Sequence, residues 1–260
     1  MIKSLKLPIL LTLLVNSSFL WATSPQEEGL KLAKELEAAN IGFKGDTSTM
    51  KMTLIDAHGT KTVREMEGKV LEVSGDGDKS LINFLNPKDV KGTKMLTWSH
   101  KEGDDDQWLY LPSVKKVKRI SSSGKANSFM GSEFSYEDLG SQEIEKYTFE
   151  LLKSEDKELK KLARYPKNAG DSGYSKQILY VSPKYMSAVK AEYYDRKKEL
   201  LKVATFDGFK EYNVGGKKMY RASSIHMKNV QTKKESIITW ENREIGKTLK
   251  ASDFESKNLE

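Results

Sequence analysis

The chain contains no cysteine in 260 residues. That excludes disulfides, thiol nucleophiles and cysteine-ligated zinc, and it leaves no cysteine to carry a lipid behind an export signal. Histidine is almost as scarce: His58, His100 and His226 are scattered and form no His-x-x-x-His pair. With no Gly-x-Ser-x-Gly elbow either, neither a zinc site nor a nucleophile elbow is suggested. The longest apolar run, Leu7 to Val15, has nine residues, where a membrane-spanning helix needs about 20. No run of five or more like charges occurs, no fixed-period repeat is present, and no Pro-, Gly- or Ser-rich linker divides the chain.

What is present begins with a targeting layout. Lys3 and Lys6 precede the apolar run, and Leu20-Trp21-Ala22 offers a small residue at a cleavage point. Residues 1–22 therefore read as a secretory signal, with a soluble protein beginning near Thr23 in the periplasm. Removing them takes 22 from 260 and leaves 238 residues, 23–260, as a single domain of a length common for β folds. The formal charge of +7 loses Lys3 and Lys6 and becomes +5. A basic balance suits nucleic acid, anionic lipid or an acidic partner, and export disfavours the first. Lys115, Lys116, Lys118 and Arg119 fall largely in one strand, as edge-protecting lysines do.

Ser24-Pro25-Gln26-Glu27 is a capping box with Pro at the first helical position, and Leu32, Ala33, Leu36 and Ala39 follow on one face of a helix that Asn40 and Gly42 can end. From Thr47 the period becomes two. Met50, Met52 and Leu54 alternate with Thr49, Lys51 and Thr53, and Ala57-His58-Gly59 turns the chain back into Lys61 to Val73. Further strands are expected over 79–85, 94–99, 108–111, 114–120, 178–181, 188–195, 199–206, 218–227 and 235–240. Helical turns are expected at 89–92 and, from its Lys, Glu and Leu content, at 155–162. Residues 165–174 read as a long loop. The strands are apolar on one face and rich in Lys, Thr, Glu and Asp on the other, as in an antiparallel sheet with one wet side. Two acidic stretches, Asp76-Gly77-Asp78 and Asp104-Asp105-Asp106, lack the spaced ligands of a calcium loop and read as hairpin turns with solvated carboxylates.

The stretch Gln107 to Leu139 stands apart. A hairpin, Trp108 to Leu111 and Val114 to Ile120, breaks at Pro112-Ser113; then Phe129, Met130, Phe134, Tyr136 and Leu139 sit among Gly, Ser and acidic residues with no regular period. Such a loop needs an apolar surface to lie on. The runs Trp108-Leu109-Tyr110-Leu111-Pro112, Val117-Lys118-Arg119-Ile120 and Ser128 to Leu139 resemble the outer-membrane lipoprotein-sorting, LolA-like family, as do Asp78-Lys79-Ser80 and Pro87 to Thr93 upstream. The resemblance covers most of residues 23–260.

It implies a mainly β fold with a few helices: an incomplete antiparallel β-barrel, lidded by helices and loops around a hydrophobic cavity that carries acyl chains. It suggests an inner-membrane exporter or transporter as donor and an outer-membrane acceptor, and it leaves the cargo open between lipoprotein, phospholipid and other lipids; a monomer with no cofactor is expected, with no metal from the residues and no nucleic acid from the export signal. The apolar set then supplies the candidate cavity wall: Met50, Met52, Leu54, Phe84, Leu96, Trp98, Trp108, Tyr110, Phe129, Met130, Phe134, Tyr193 and Trp240. Met adapts to flexible cargo. Met50, Met52, Leu54, Trp98 and Trp108 are expected on the concave side, although Lys94 shares parity with Trp98. Ser128 to Leu139 is expected to be a gate, with Phe129 and Phe134 folded inwards, Gly124 and Gly131 as hinges, and Glu133, Glu137 and Asp138 at the solvent edge. Two other classes remain open from the residues: a non-carrier protein docking on a membrane transport complex, and a secreted hydrolase.

Overall fold

The structure, a computed structural model, describes residues 23–259; the signal-peptide reading concerns 1–22 and lies outside them. The first element, α1 (Pro25–Asn40), starts as the capping box requires: the Ser24 hydroxyl accepts from the Glu27 N–H at 3.2 Å, and the Glu27 carboxylate accepts from the Ser24 N–H at 2.8 Å. Glu27 and Glu28 suit the positive end of the helix dipole. Leu32 and Ala33 are buried against Tyr147, Phe149, Leu162 and Val181. Gly29 lets the helix sit directly on the backbone of Glu150, where a Cβ would come within 2.7 Å of the amide nitrogen.

Everything after α1 is strand, turn or short 3-10 segment. The strands are β1 (Gly45–Ile55), β2 (Lys61–Leu71), β3 (Lys79–Asn86), β4 (Lys94–Trp98), β5 (Asp106–Leu111), β6 (Lys116–Arg119), β7 (Tyr147–Leu152), β8 (Lys160–Pro166), β9 (Tyr174–Ser182), β10 (Ser187–Asp195), β11 (Leu200–Asp207), β12 (Lys210–Val214), β13 (Lys217–Arg221), β14 (Ser224–Asn229) and β15 (Glu235–Ile245). A single 13-stranded sheet runs in the order β6-β5-β4-β3-β2-β1-β15-β14-β11-β10-β9-β8-β7, and β12 pairs with β13 as a separate hairpin. All pairings are antiparallel, and the sheet does not close: β6 and β7, consecutive in sequence, form its two edges. This is the incomplete barrel expected, with one α-helix among the described residues. Exposed Lys116, Lys118 and Arg119 guard the β6 edge against strand addition.

The antiparallel register carries one face across the whole sheet. Met50 stands opposite Met66 and Trp240, Met66 opposite Phe84, and Ile82 opposite Met95, which faces Leu109. On the other side Ile238 meets Ile225, and Ala204 meets both Met227 and Ala191. These residues form one continuous apolar cluster. Because β6 and β7 lie at opposite edges, residues 120–146 must cross the sheet, and they do so over this face. The reverse face of β3 to β5 is covered by the C-terminal segment: Phe254 and Leu259 are buried with Leu96, beside Trp98, Trp108 and Tyr110. There the Trp98 indole N–H donates to the Phe254 carbonyl at 2.7 Å.

Two local expectations are corrected. Residues 155–162 are not helical: after a turn the chain enters β8, whose pairing with β7 and β9 outweighs the helix propensity of its Lys and Leu. Residues 218–227 divide at Ala222-Ser223 between β13 and β14, in different sheets. The turn expected at 89–92 forms as a single helical turn, the Lys91 N–H donating to the Pro87 carbonyl at 3.0 Å.

Candidate functional site

The structure brings most of the candidate wall residues together. Met50, Met52, Phe84, Phe129, Phe134 and Tyr193 are buried in one cluster, with Leu54, Met130 and Trp240 packed against it. Leu96, Trp98, Trp108 and Tyr110 lie on the opposite face, under the C-terminal segment. The concave assignment of Trp98 and Trp108 is therefore overturned. At β4 and β5 both faces are covered, so aromatic content does not reveal which one is inside; Met95 and Leu109, of the other parity, point in.

The crossing segment fills the concave face. Phe129 is wholly buried, with its ring 5.8 Å from Phe84 and 5.6 Å from Tyr136. Met130 and Gly131 both take positive φ, turning the chain back so that the Phe129 N–H donates to the Phe134 carbonyl at 2.7 Å. Phe129 and Phe134 thus fold inwards as expected. The acidic residues do not stay at the solvent edge. Asp138 Oδ2 lies 2.7 Å from Lys202 Nζ, with both side chains under 10 % exposed, and the Tyr174 hydroxyl donates to Asp138 Oδ1 at 2.9 Å. The Glu133 side chain accepts from Asn229 at 2.8 Å, while its backbone N–H donates to Ser236 Oγ at 3.0 Å. Burial lifts the Glu137 carboxyl above its ordinary range, against hydrogen bonds from the Ser172 hydroxyl and the Gly173 N–H.

The open space lies elsewhere, at the end of the sheet beneath the C-terminal half of α1. A cavity of about 1090 Å³ has an apolar floor of Leu36, Ile144, Phe149, Leu162, Leu179 and Ala188, and its rim carries Lys44, Glu72, Asp78, Lys101, Glu143 and Lys217. That volume matches the upper range of small-molecule sites. None of the candidate wall residues lines it. The signal that marks it is a different one, a charged side chain in phase with an apolar neighbour on its strand: Arg164 follows the buried Leu162, and its partner Gln177 precedes the half-buried Leu179.

The rim is electrostatically organised. Glu37, Glu143 and Glu145 bring carboxylate oxygens within 4.8 Å of one another, a spacing that suits a cation, and Lys101 lies 3.8 Å from Glu37 and 3.5 Å from Glu145. Asp76 and Asp106 grip His100 from two sides, at 2.8 and 3.3 Å; hydrogen bonds from His100 and from the Lys101 N–H hold the Asp76 carboxyl at about 2. Asp105 pairs with Lys146, and Asp104 with Lys125. The acidic stretches are turns, as expected, but their carboxylates are engaged in tying β2–β3 to β4–β5 and to the crossing segment.

Asp78 is the rim carboxyl pushed furthest up: burial, reinforced by Glu143 and Glu72 and opposed by the Val73 N–H, brings it to about 7. A carboxyl that holds its proton more tightly folded than unfolded makes stability fall as pH rises, here between the unfolded value of about 4 and about 7, and leaves it flat beyond. Urea midpoints measured from pH 4 to 8 are expected to show that decline, and Asp78→Asn is expected to reduce its slope.

An open antiparallel half-barrel, with a helix laid across one end over a partly apolar cavity, defines the architectural class. A family model described only as an uncharacterized protein family matches residues 76–260. A solved structure from Vibrio parahaemolyticus, described as an outer membrane lipoprotein-sorting protein domain, is 43% identical, covers 90% of this chain and 99% of its own, and superposes with a TM-score of 0.86. A DUF1329 family protein from Desulfovibrio piger is 28% identical over 92% of this chain and 100% of its own, with a TM-score of 0.84. A LolA superfamily protein from Nitrosomonas europaea, 18% identical over 91% and 99%, shares the fold at a TM-score of 0.66. No curated protein sequence matches. The chain belongs to the outer-membrane lipoprotein-sorting protein family, with the LolA-type fold.

Proposed function

We propose that the protein is a non-enzymatic periplasmic carrier or binding protein for an acylated molecule, a lipid or the acyl chains of a lipoprotein, passing between inner-membrane machinery and the outer membrane. The observation that carries this reading is the cavity under α1, whose floor of Leu36, Phe149, Leu162 and Leu179 provides an apolar surface next to a charged rim. Burying acyl chain is worth ~0.8 kcal/mol per methylene, so a shielded site removes most of the cost of crossing water. Among the described residues no helix is long and apolar enough to cross a membrane. The test is organic extraction of the purified protein followed by mass spectrometry. A co-purifying acyl lipid in near-stoichiometric amount is expected, and its consistent absence, together with failure to bind any acyl probe, sinks the reading.

A second reading has one observation behind it. The concave face, where cargo was expected from the resemblance, is filled by the chain's own Phe129, Phe134, Tyr136 and Leu139. A half-barrel filled in that way suits a protein that docks on a membrane transport complex without carrying lipid. The extraction experiment separates the two.

A further inference from the structure

The inner face of the sheet carries a row of polar side chains that the apolar cluster does not explain. Arg164 pairs in register with Gln177, Gln177 with Tyr193, Tyr193 with Lys202, and Lys202 with Asn229, so one line of polar groups crosses five adjacent strands from β8 to β14. At one end the row is consumed by the crossing segment: Lys202 binds Asp138 and the Glu133 carbonyl, and Asn229 binds the Glu133 carboxylate. At the other end Arg164 lines the cavity. Its Nε donates to Gln177 Oε1 at 2.7 Å and one terminal nitrogen donates to the same oxygen, while the guanidinium packs over the Tyr147 ring at 4.9 Å. Among the described residues it has no carboxylate partner within salt-bridge distance, and its second terminal nitrogen, Nη1, makes no hydrogen bond to protein.

The other cations of the cavity are accounted for. Lys101 lies between Glu37 and Glu145, Lys217 donates to the Ala38 and Ile41 carbonyls at the end of α1, Lys247 pairs with Glu244, and Lys44 stands exposed at the rim. Arg164 differs from these in standing half-buried among apolar side chains, beside Leu162, Leu179 and Phe149, with neither a counter-charge nor a backbone carbonyl on its guanidinium. The carboxylates of the wall come from other elements: Glu72, Asp76 and Asp78 from the β2–β3 turn in the other half of the sheet, Glu37 from α1, and Glu143 from the crossing segment. The cavity therefore has an acidic side and one cationic pole set in its apolar floor. A guanidinium presents planar paired donors that match the oxygens of a carboxylate or a phosphate.

We propose that Arg164, held in orientation by Gln177, is the headgroup anchor of the cavity, and that the cavity takes a single-chain amphiphile whose head is an oxyanion, a fatty acid or an alkyl phosphate. The chain lies over Phe149, Leu162, Leu179 and Leu36, and the acidic β2–β3 side repels the head away from the opposite wall. The proposal rests on the carrier reading and narrows it, since a lipoprotein anchor without an anionic head leaves Arg164 unpaired.

The experiment titrates delipidated protein with a pyrene-labelled fatty acid, the methyl ester of the same molecule, and a pyrene-labelled alkyl phosphate, followed by fluorescence. Wild type is expected to bind the acid about tenfold or more tighter than the ester, the scale of one charge-assisted interaction. Arg164→Gln is expected to abolish that preference while ester affinity is retained, and Arg164→Lys to keep part of it. The ratio between acid and alkyl phosphate identifies which oxyanion the pole favours. Equal binding of acid and ester by wild type, or a preference that survives Arg164→Gln, overturns the anchor and leaves the carrier reading standing. Failure of every probe, ester included, overturns both. Should Arg164→Gln lose its native circular dichroism, the wild-type comparison of acid and ester and the Arg164→Lys variant still decide.

Discussion

Asp138→Ala is expected to destabilise the protein by about 3–5 kcal/mol, the scale on which breaking one member of a buried ion pair acts. Asp138 and Lys202 have side chains 8 % and 4 % exposed and meet at 2.7 Å. The carboxylate also accepts from the Tyr174 hydroxyl at 2.9 Å and from the Ser135 N–H at 2.7 Å, and Lys202 donates in addition to the Glu133 carbonyl at 2.9 Å. Removing the carboxylate strands an ammonium group in the core and orphans two donors. A typical domain has only about 5–15 kcal/mol in total, so the loss is a large share of it. Asp138→Asn keeps some hydrogen bonding and is expected to fall between. The double variant Asp138→Leu with Lys202→Met is expected to recover much of the loss, because replacing both charges removes the desolvation cost that a lone charge leaves behind. Urea unfolding of these proteins gives the losses, and adding the single variants Asp138→Leu and Lys202→Met completes the cycle that gives the coupling. A single variant within about 1 kcal/mol of wild type would show that water reaches the pair.

The same pair shows where the sequence is legible and where it is not. The capping box at Ser24 and the alternation of Met50, Met52 and Leu54 with Lys51 and Thr53 are local signals, and both elements form where those signals place them. The hairpin at Pro112-Ser113 and the guarded edge β6 follow for the same reason. Face assignment fails at Trp98 and Trp108 because period two distinguishes the two sides of a strand but not which is concave, and the C-terminal segment makes the second side apolar too. The strand β8 is hidden because Lys160, Lys161 and Leu162 continue a run of helix formers, although β7 and β8 pair with each other and β8 with β9, their neighbours in sequence. The acidic residues Glu133, Glu137 and Asp138 look solvated as long as their partners, Asn229, Ser172 and Lys202, are unseen. The cavity is hidden most completely, for its wall is assembled from turns, a helix end and inward polar residues rather than from an apolar run. Arg164 and Lys202 are each in phase with buried Leu162 and Ala204, and that inward polar phase is the sequence-level trace of both the anchor row and the cavity floor.

Phe129→Ala is expected to cost about 3–5 kcal/mol, as removal of a fully buried aromatic ring does. The reason is the position of the side chain, which is 0% exposed between Phe84 and Tyr136 in the centre of the concave face. That cost also distinguishes a fixed plug from a gate. A gate must leave its seat at a small free-energy cost, whereas this segment is held by the Asp138–Lys202 pair, by Arg64 donating to the Met130 carbonyl, and by the Gln107 side chain donating to the Tyr136 carbonyl at 2.8 Å. Its backbone is closed on itself, with the Tyr136 N–H donating to the Asn127 carbonyl at 3.1 Å and the Glu137 N–H to the Lys125 carbonyl at 2.9 Å. Amides from 129 to 138 are therefore expected to exchange only through large-scale opening and to keep the same protection when an acyl probe binds. Ser141, Gln142 and Ile144 line the cavity, and protection is expected to rise there instead. If exchange at 129–138 accelerates on binding while 141–144 stays unchanged, the cargo enters the concave face by displacing Phe129 and Phe134, and the segment is a gate after all.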